Sequence, residues 1–190
     1  MEQIDLLEYS LAELQNQVVA LADADFDVVS NCDPWTVRQL ASHALNNQLL
    51  WAGLVTGQET VSLEDTMAGV PIEGKLAPVA HDVCDRTLAM WRTPGVLDAS
   101  HLTPFGELPG STVINFAIID ALCHAWDLGA SVGRPMEFTT DQIPAISAVV
   151  DATCTDAVRE LGLIKGVPNV PPHASDTERL MARAGRTLTR

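Results

Sequence analysis

Basic side chains are scarce in this chain. Eleven Lys and Arg stand against 25 Asp and Glu, a formal net charge of −14. A surface of that sign repels phosphate backbones and anionic membranes, so neither nucleic acid nor a membrane is an expected partner. No leader is expected either, because "MEQIDLLEYS" carries acidic residues where a signal peptide needs positive charge. No run of about eighteen uninterrupted apolar residues offers a transmembrane span. Together these absences predict a cytoplasmic protein. The four cysteines, Cys32, Cys84, Cys123 and Cys154, include no C-x-x-C pair and are too sparse for a disulfide scaffold. Reduced thiols are therefore expected. Internal repeats and low-complexity segments are absent too.

What is present is apolar and periodic. The 190 residues, 47% of them hydrophobic with a mean hydropathy of +0.13, suffice for one buried core, and a single domain over 1–190 is expected. Leu7, Leu11, Leu14, Val18 and Leu21 recur at steps of three and four and predict an amphipathic helix over 4–22. A second, long helix opens with Asp33 as N-cap and Pro34 in its first turn and runs to Gly57. Residues 58–76 read as loop with at most a short extended piece, 77–92 as a weaker helix, and 93–110 as irregular chain. Ser111 is positioned to cap a helix over 112–131, and Thr139 or Thr140 one reaching Leu161. A last short helix falls near 176–185. Arg179, Arg183, Arg186 and Arg190 are spaced there as a solvated helix face rather than a binding tail. Long helices joined by irregular loops argue an all-α bundle.

The segment "TVINFAIIDALCHAWDLG" poses the chemical question, because it places Asp120 and His124 four residues apart within apolar surroundings. Such a spacing stacks both side chains on one helical face. A buried ionised aspartate is costly unless it is paired or coordinated. Two readings follow: a hydrogen-bonded polar pair in the core, or two ligands of a metal. His43, in "VRQLASHALNN" with Gln39, Asn46 and Asn47 nearby on its face, offers a third ligand from another helix. Facing helices of a bundle build metal sites from such sets.

The pieces "CDPWTVRQLASHAL", "DALCHAWDLGASVGRP" and "DTERLMARAGR" together resemble the metal-binding superfamily that includes DinB-like proteins and mycothiol-dependent maleylpyruvate isomerase. The resemblance spans nearly the whole chain. It implies a DinB-like four-helix core, here with additional short C-terminal helices, and a divalent metal held by His43, Asp120 and His124. It also implies zinc as the ion, although two histidines and a carboxylate equally suit iron, and nickel is a further alternative. In the isomerase branch the carboxylate is commonly glutamate, one methylene longer than Asp120.

Three protein ligands leave a coordination position for water or a thiol as nucleophile. The resemblance makes mycothiol, a small thiol cofactor, the candidate. The functional expectation is thus a metal-dependent enzyme that activates a small thiol for transfer to, or isomerisation of, a small electrophilic substrate, as an isomerase or S-transferase. The alternatives are a non-catalytic metal-binding bundle serving stress or partner binding, and a bundle without metal. Asp127, three residues after His124, is placed to accept that ring's free N–H, with Asn47 in a similar relation to His43. Arg38 and His101 are candidate substrate contacts, the latter because the 93–110 loop is placed to cover the site. Cys123 is expected in the core and Cys32 in a structural role, with His81 and His173 on the surface. Trp35, Trp51, Trp91 and Trp126 have the size of core anchors. A homodimer is expected, and metal affinity should fall as pH drops below about 6.5.

Overall fold

The computed structural model of the chain describes residues 1–58 and 60–188. Four helices form the core: α1 (Gln3–Val19), α2 (Val37–Thr56), α4 (Leu76–Trp91) and α5 (Gly110–Ser131), with α1 and α2 each packed against both α4 and α5. Between α2 and α4 lies the one-turn helix α3 (Leu63–Met67). After α5 come α6 (Ile143–Thr153), α7 (Asp156–Glu160) and α8 (Asp176–Arg183), with α6 seated on α5 and α8 on α6. An antiparallel hairpin, β1 (Ser100–Thr103) and β2 (Gly106–Pro109), rests against α2 and α5. The architecture is the expected all-α, DinB-like bundle.

α5 is the central helix. Burial is unbroken from Ala121 to Gly129, so the usual polar face is missing. Its most apolar 18-residue window would satisfy a membrane-span criterion by composition, yet 78% of that window is buried inside the bundle. Ile114, Ile118 and Leu122 meet Leu7 and Leu14 of α1 and Leu40 and Leu45 of α2 in one apolar cluster. Fully burying each such side chain contributes about 1.5–3 kcal/mol.

Several boundaries differ from the sequence expectations. α2 begins three residues later than Pro34, because Thr36 and Gln39 form a reciprocal capping box (Gln39 N to Thr36 Oγ1 3.3 Å, Thr36 N to Gln39 Oε1 3.0 Å). Asp33 and Pro34 lie in the loop before it. Gly57 closes the helix in the left-handed conformation at φ 70°. The 58–76 stretch holds helix α3, started by Ser62, whose side chain accepts from Asp65 N. The 93–110 stretch contains the hairpin, and α5 starts at Gly110 with no side-chain cap from Ser111. Neither Thr139 nor Thr140 caps α6, which follows Gln142. The helix expected to reach Leu161 breaks at Cys154 (ψ 48°) and restarts as α7 under a Thr155 cap.

Candidate metal centre

α2 and α5 run antiparallel, and their facing residues form layers one turn apart. The His43 and His124 rings meet edge to face with centroids 5.0 Å apart. One turn along, Asn47 Nδ2 donates to Asp120 Oδ1 at 2.8 Å. A further turn on, Trp51 stacks on Phe116 with centroids 5.5 Å apart and planes 16° from parallel. Each step of four residues advances both helices by about 6 Å.

His43, Asp120 and His124 each bring a ligand atom within 4.8 Å of the others. Their orientations are fixed from behind. His43 Nδ1 lies 2.8 Å from the carbonyl of Thr66 in α3, and a carbonyl only accepts, so Nδ1 carries the hydrogen and Nε2 keeps its lone pair. Asp120 accepts from Asn47 on Oδ1 and from Gln48 Nε2 on Oδ2 at 2.9 Å. The carboxylate side chain still keeps 14% of its surface accessible. His124 is gripped from both sides, with Nε2 3.3 Å from Asp120 Oδ1 and Nδ1 3.3 Å from Asp127 Oδ2.

Asp127 is wholly buried and anchors a second group. It accepts from Asn31 Nδ2 at 2.9 Å and Cys32 Sγ at 3.1 Å, and Arg186 Nε lies 3.4 Å away. Neither His124 Nδ1–H nor Arg186 Nε–H points squarely at it, so charge attraction rather than aligned hydrogen bonding holds these two contacts. Burial alone would raise Asp127, but the Arg186 guanidinium and then His124 outweigh it and hold the carboxyl at about 2. Burial would likewise depress His124, yet Asp120 and then Asp127 push it well above the ordinary imidazole value. His43 goes the other way, lowered by burial and by the neighbouring His124 charge. Burial would raise Asp120, and His124 with the other donors around it holds it low.

The trio fits a divalent ion: two imidazole nitrogens and one carboxylate converge, and each is oriented by a second residue behind it. Cys32, His124 and Asp127 also cluster within 4.8 Å, but there Arg186 already supplies the positive charge beside the carboxylate. A cavity of about 860 Å³ opens over the trio. Trp51, Phe116 and the hairpin's Phe105 line one end, and Asn31, Cys32, Lys165 and Arg186 line it elsewhere.

Of the residues singled out in the sequence, His43, Asp120, His124 and Asp127 come together here. Arg38 does not line the cavity; its guanidinium donates to the carbonyls of Ile72 and Gly74 and covers the Phe26 ring. His101 is committed elsewhere, its Nε2 2.7 Å from Val96 O, and Phe105 is the hairpin residue that reaches the cavity. Asn47 serves Asp120 rather than His43. Cys123 is buried, and it also borders the cavity, as do Cys32 and Cys154. Trp91 and Trp126 are core anchors, whereas Trp35, tilted over His43 at 4.6 Å, and Trp51 line the cavity. His81 and His173 are exposed.

The basic stripe at the chain's end departs from the expected solvated face at Arg186, whereas Arg179 is exposed and Arg183 stays partly so. Arg186 turns into the cavity against Asp127, and Arg183 donates to Ser147 and pairs with Asp151. Arg190 lies outside the described residues. Gln48, Thr66, Phe105 and the inward Arg186 are the residues that sequence reasoning missed. For Gln48 a signal existed, since a second amide beside Asn47 on an apolar helix face needs a partner.

Fold and site thus define a helical bundle with a two-histidine, one-carboxylate donor set at the floor of a cavity. Residues 7–129 match the family described as the mycothiol maleylpyruvate isomerase N-terminal domain, and the chain belongs to that family. It is 27% identical over 162 residues to an uncharacterized protein of Mycobacterium tuberculosis, found in the CDC 1551 and H37Rv strains, covering 83% of this chain and 82% of that one. Its fold matches a crystal structure of the mycothiol-dependent maleylpyruvate isomerase at a TM-score of 0.66 and 22% identity, over 87% of this chain and 73% of that one. A histidine-to-alanine variant of that enzyme matches equally, at 0.67 and 21%.

Proposed function

We propose that this chain is a metal-dependent enzyme that activates a small thiol of the mycothiol type and delivers it to a small electrophilic substrate, by transfer or by isomerisation. The convergence of His43, Asp120 and His124 on the floor of a cavity carries the reading. An ion that served only stability would not need a cavity opening over its ligands. Membership of the mycothiol maleylpyruvate isomerase N-terminal domain family supports the thiol. Three protein ligands leave the ion a position for a non-protein group.

A divalent ion, zinc first among the candidates, would supply the charge that keeps a thiol deprotonated near neutral pH or polarises a carbonyl. The chain's own residues do the rest. Thr66 holds His43 with its Nε2 free, Asn47 and Gln48 hold the carboxylate of Asp120, and Asp127 orients His124. Trp35, tilted over His43 at 4.6 Å, covers one side of the site. Arg186 keeps a guanidinium in the cavity wall without leaving it unpaired, because Asp127 compensates its charge.

Metal content measured by elemental mass spectrometry on tag-free protein tests the proposal, with wild type beside His43→Ala and His124→Ala. Near-stoichiometric metal in the wild type and loss in both variants is expected. Wild type that takes up no zinc, nickel or iron after reloading would end the enzyme reading. Metal without thiol-dependent turnover would leave a metal-binding bundle instead.

A further inference from the structure

The cavity is chemically polarised along α5. Phe116, Asp120, His124 and Asp127 succeed one another on its inner face, so the aromatic and ionic ends are separated by eleven residues, about 16 Å of helix. The ionic end holds Arg186 with Asp127, and Lys165 lies beside it, since Gly185 packs directly on the Lys165 backbone. At the other end Trp51, Phe116 and Phe105 form one cluster: Phe105 stands 6.2 Å from Trp51 and 5.6 Å from Phe116. Phe105 is still 37% exposed. Leu54 and Ile119 add further apolar lining to the cavity.

Among the described lining residues the only lysine or arginine side chains are Lys165 and Arg186, both at the ionic end. A carboxylate placed against the aromatic cluster would lose its hydration, gain no cationic partner and lie one turn from Asp120. A flat uncharged ring would instead extend the stack that Trp51, Phe116 and the exposed Phe105 already form. About 860 Å³ is room for a polar thiol and a second small molecule together.

Resting on the thiol reading above, we propose that the electrophile is an uncharged aromatic or similarly apolar compound bound on Trp51, Phe105 and Phe116, with the polar thiol at the Arg186 end. Its reactive carbon then lies beside the His43, Asp120 and His124 centre. For an aryl halide the thiolate sulfur forms a bond to the ring carbon, the carbon–halogen bond breaks with its electron pair leaving on halide, and the thiol proton passes to solvent. A small dicarboxylate is not the substrate that this wall selects.

Calorimetric titration of the zinc-loaded protein with 1,3-dinitrobenzene and with maleate tests the wall without any thiol. Saturable dinitrobenzene binding is expected, weakened roughly tenfold in Trp51→Ala. It should also weaken in Phe105→Ala, which alters an exposed hairpin residue and so leaves the bundle intact. Tighter binding of maleate than of dinitrobenzene, or dinitrobenzene affinity unchanged in both folded variants, would overturn the proposal. Adding mycothiol and 1-chloro-2,4-dinitrobenzene and following chloride release separates the two readings. Binding that tracks the aromatic variants with no conjugation upholds the wall and sinks the thiol reading. Conjugation indifferent to both variants upholds the thiol and sinks the wall.

Discussion

Replacing Asp127 with asparagine removes one charge and almost no volume, so its effects isolate what the buried carboxylate does. In the native protein its oxygens face Asn31, Cys32, His124 and Arg186. Asp127→Asn leaves the Arg186 guanidinium in the cavity wall without its counter-charge, and breaking one side of a buried pair costs about 3–5 kcal/mol. Unfolding entropy scales as about 2.1 cal/mol/K per residue, so for this chain a loss of about 3 kcal/mol lowers Tm by about 8 °C. The same change loosens the His124 ring, which should weaken metal binding by about 10- to 100-fold. Differential scanning calorimetry on metal-free protein and competition against a chromophoric chelator read the two effects separately. Because the folded carboxyl is depressed to about 2, its stabilisation is present above the unfolded value of about 4 and disappears as pH falls through about 2. The gap between wild type and variant must therefore close over that acid window. Adding Arg186→Met to Asp127→Asn should recover part of the lost stability, giving a coupling of about 1–3 kcal/mol. Unchanged Tm together with unchanged metal affinity in Asp127→Asn would refute the anchoring role.

Metal binding should release about one proton near neutral pH, because Asp120 and Asp127 keep His124 protonated in the metal-free protein above the ordinary imidazole range. Affinity should then keep rising with pH beyond about 6.5, where an unshifted histidine would have levelled off. Calorimetry at pH 7.5 in two buffers of different ionisation enthalpy counts the protons, and a count of zero would refute it. Gly69→Ala is expected to lower stability by about 1–3 kcal/mol and to weaken metal binding, since a Cβ there would lie 2.8 Å from the Trp35 ring that covers His43 and would adopt φ +63°. Metal affinity unaltered in that variant would release Trp35 from any role at the site. If the chain pairs as a homodimer, as we propose, it should elute at twice 20.4 kDa, and a hydrodynamic mass matching one chain would refute the pairing.

The major helices were legible because their apolar residues repeat at 3.6-residue spacing, and α5 showed its site because two ligands share one helix. Where the sequence misled, competing signals of equal kind were present. Asp33–Pro34 is a good helix start, but Thr36, two residues on, and Gln39 satisfy two backbone donors at once, and the box prevails over a lone cap. Apolar periodicity continues past Cys154, and the break there follows from the Thr155 cap, which starts a new helix in a new direction. The hairpin eluded periodicity because each strand is only four residues long. Contacts between elements were least legible. Nothing in the spacing of α2 says that Asn47 faces Asp120 while Trp51 faces Phe116, nor that Gly185, at φ +79°, turns Arg186 inward.

The competing account, a polar core pair without metal, explains Asp120 and His124 but not their surroundings. A pair needs only its two members, and the Asp120 carboxylate is already satisfied by Asn47 and Gln48. Yet His43 also brings a ring nitrogen into the cluster. Its Nδ1–H is spent on Thr66, and burial beside the His124 charge disfavours its own protonation, so Nε2 presents a lone pair that neither neighbour needs as an acceptor. A lone pair, a carboxylate and a second imidazole, each immobilised from a different element, cost conformational entropy that a core pair has no reason to spend. Two amides of the facing helix hold both oxygens of Asp120. An ion is the occupant that would make all three constraints useful at once.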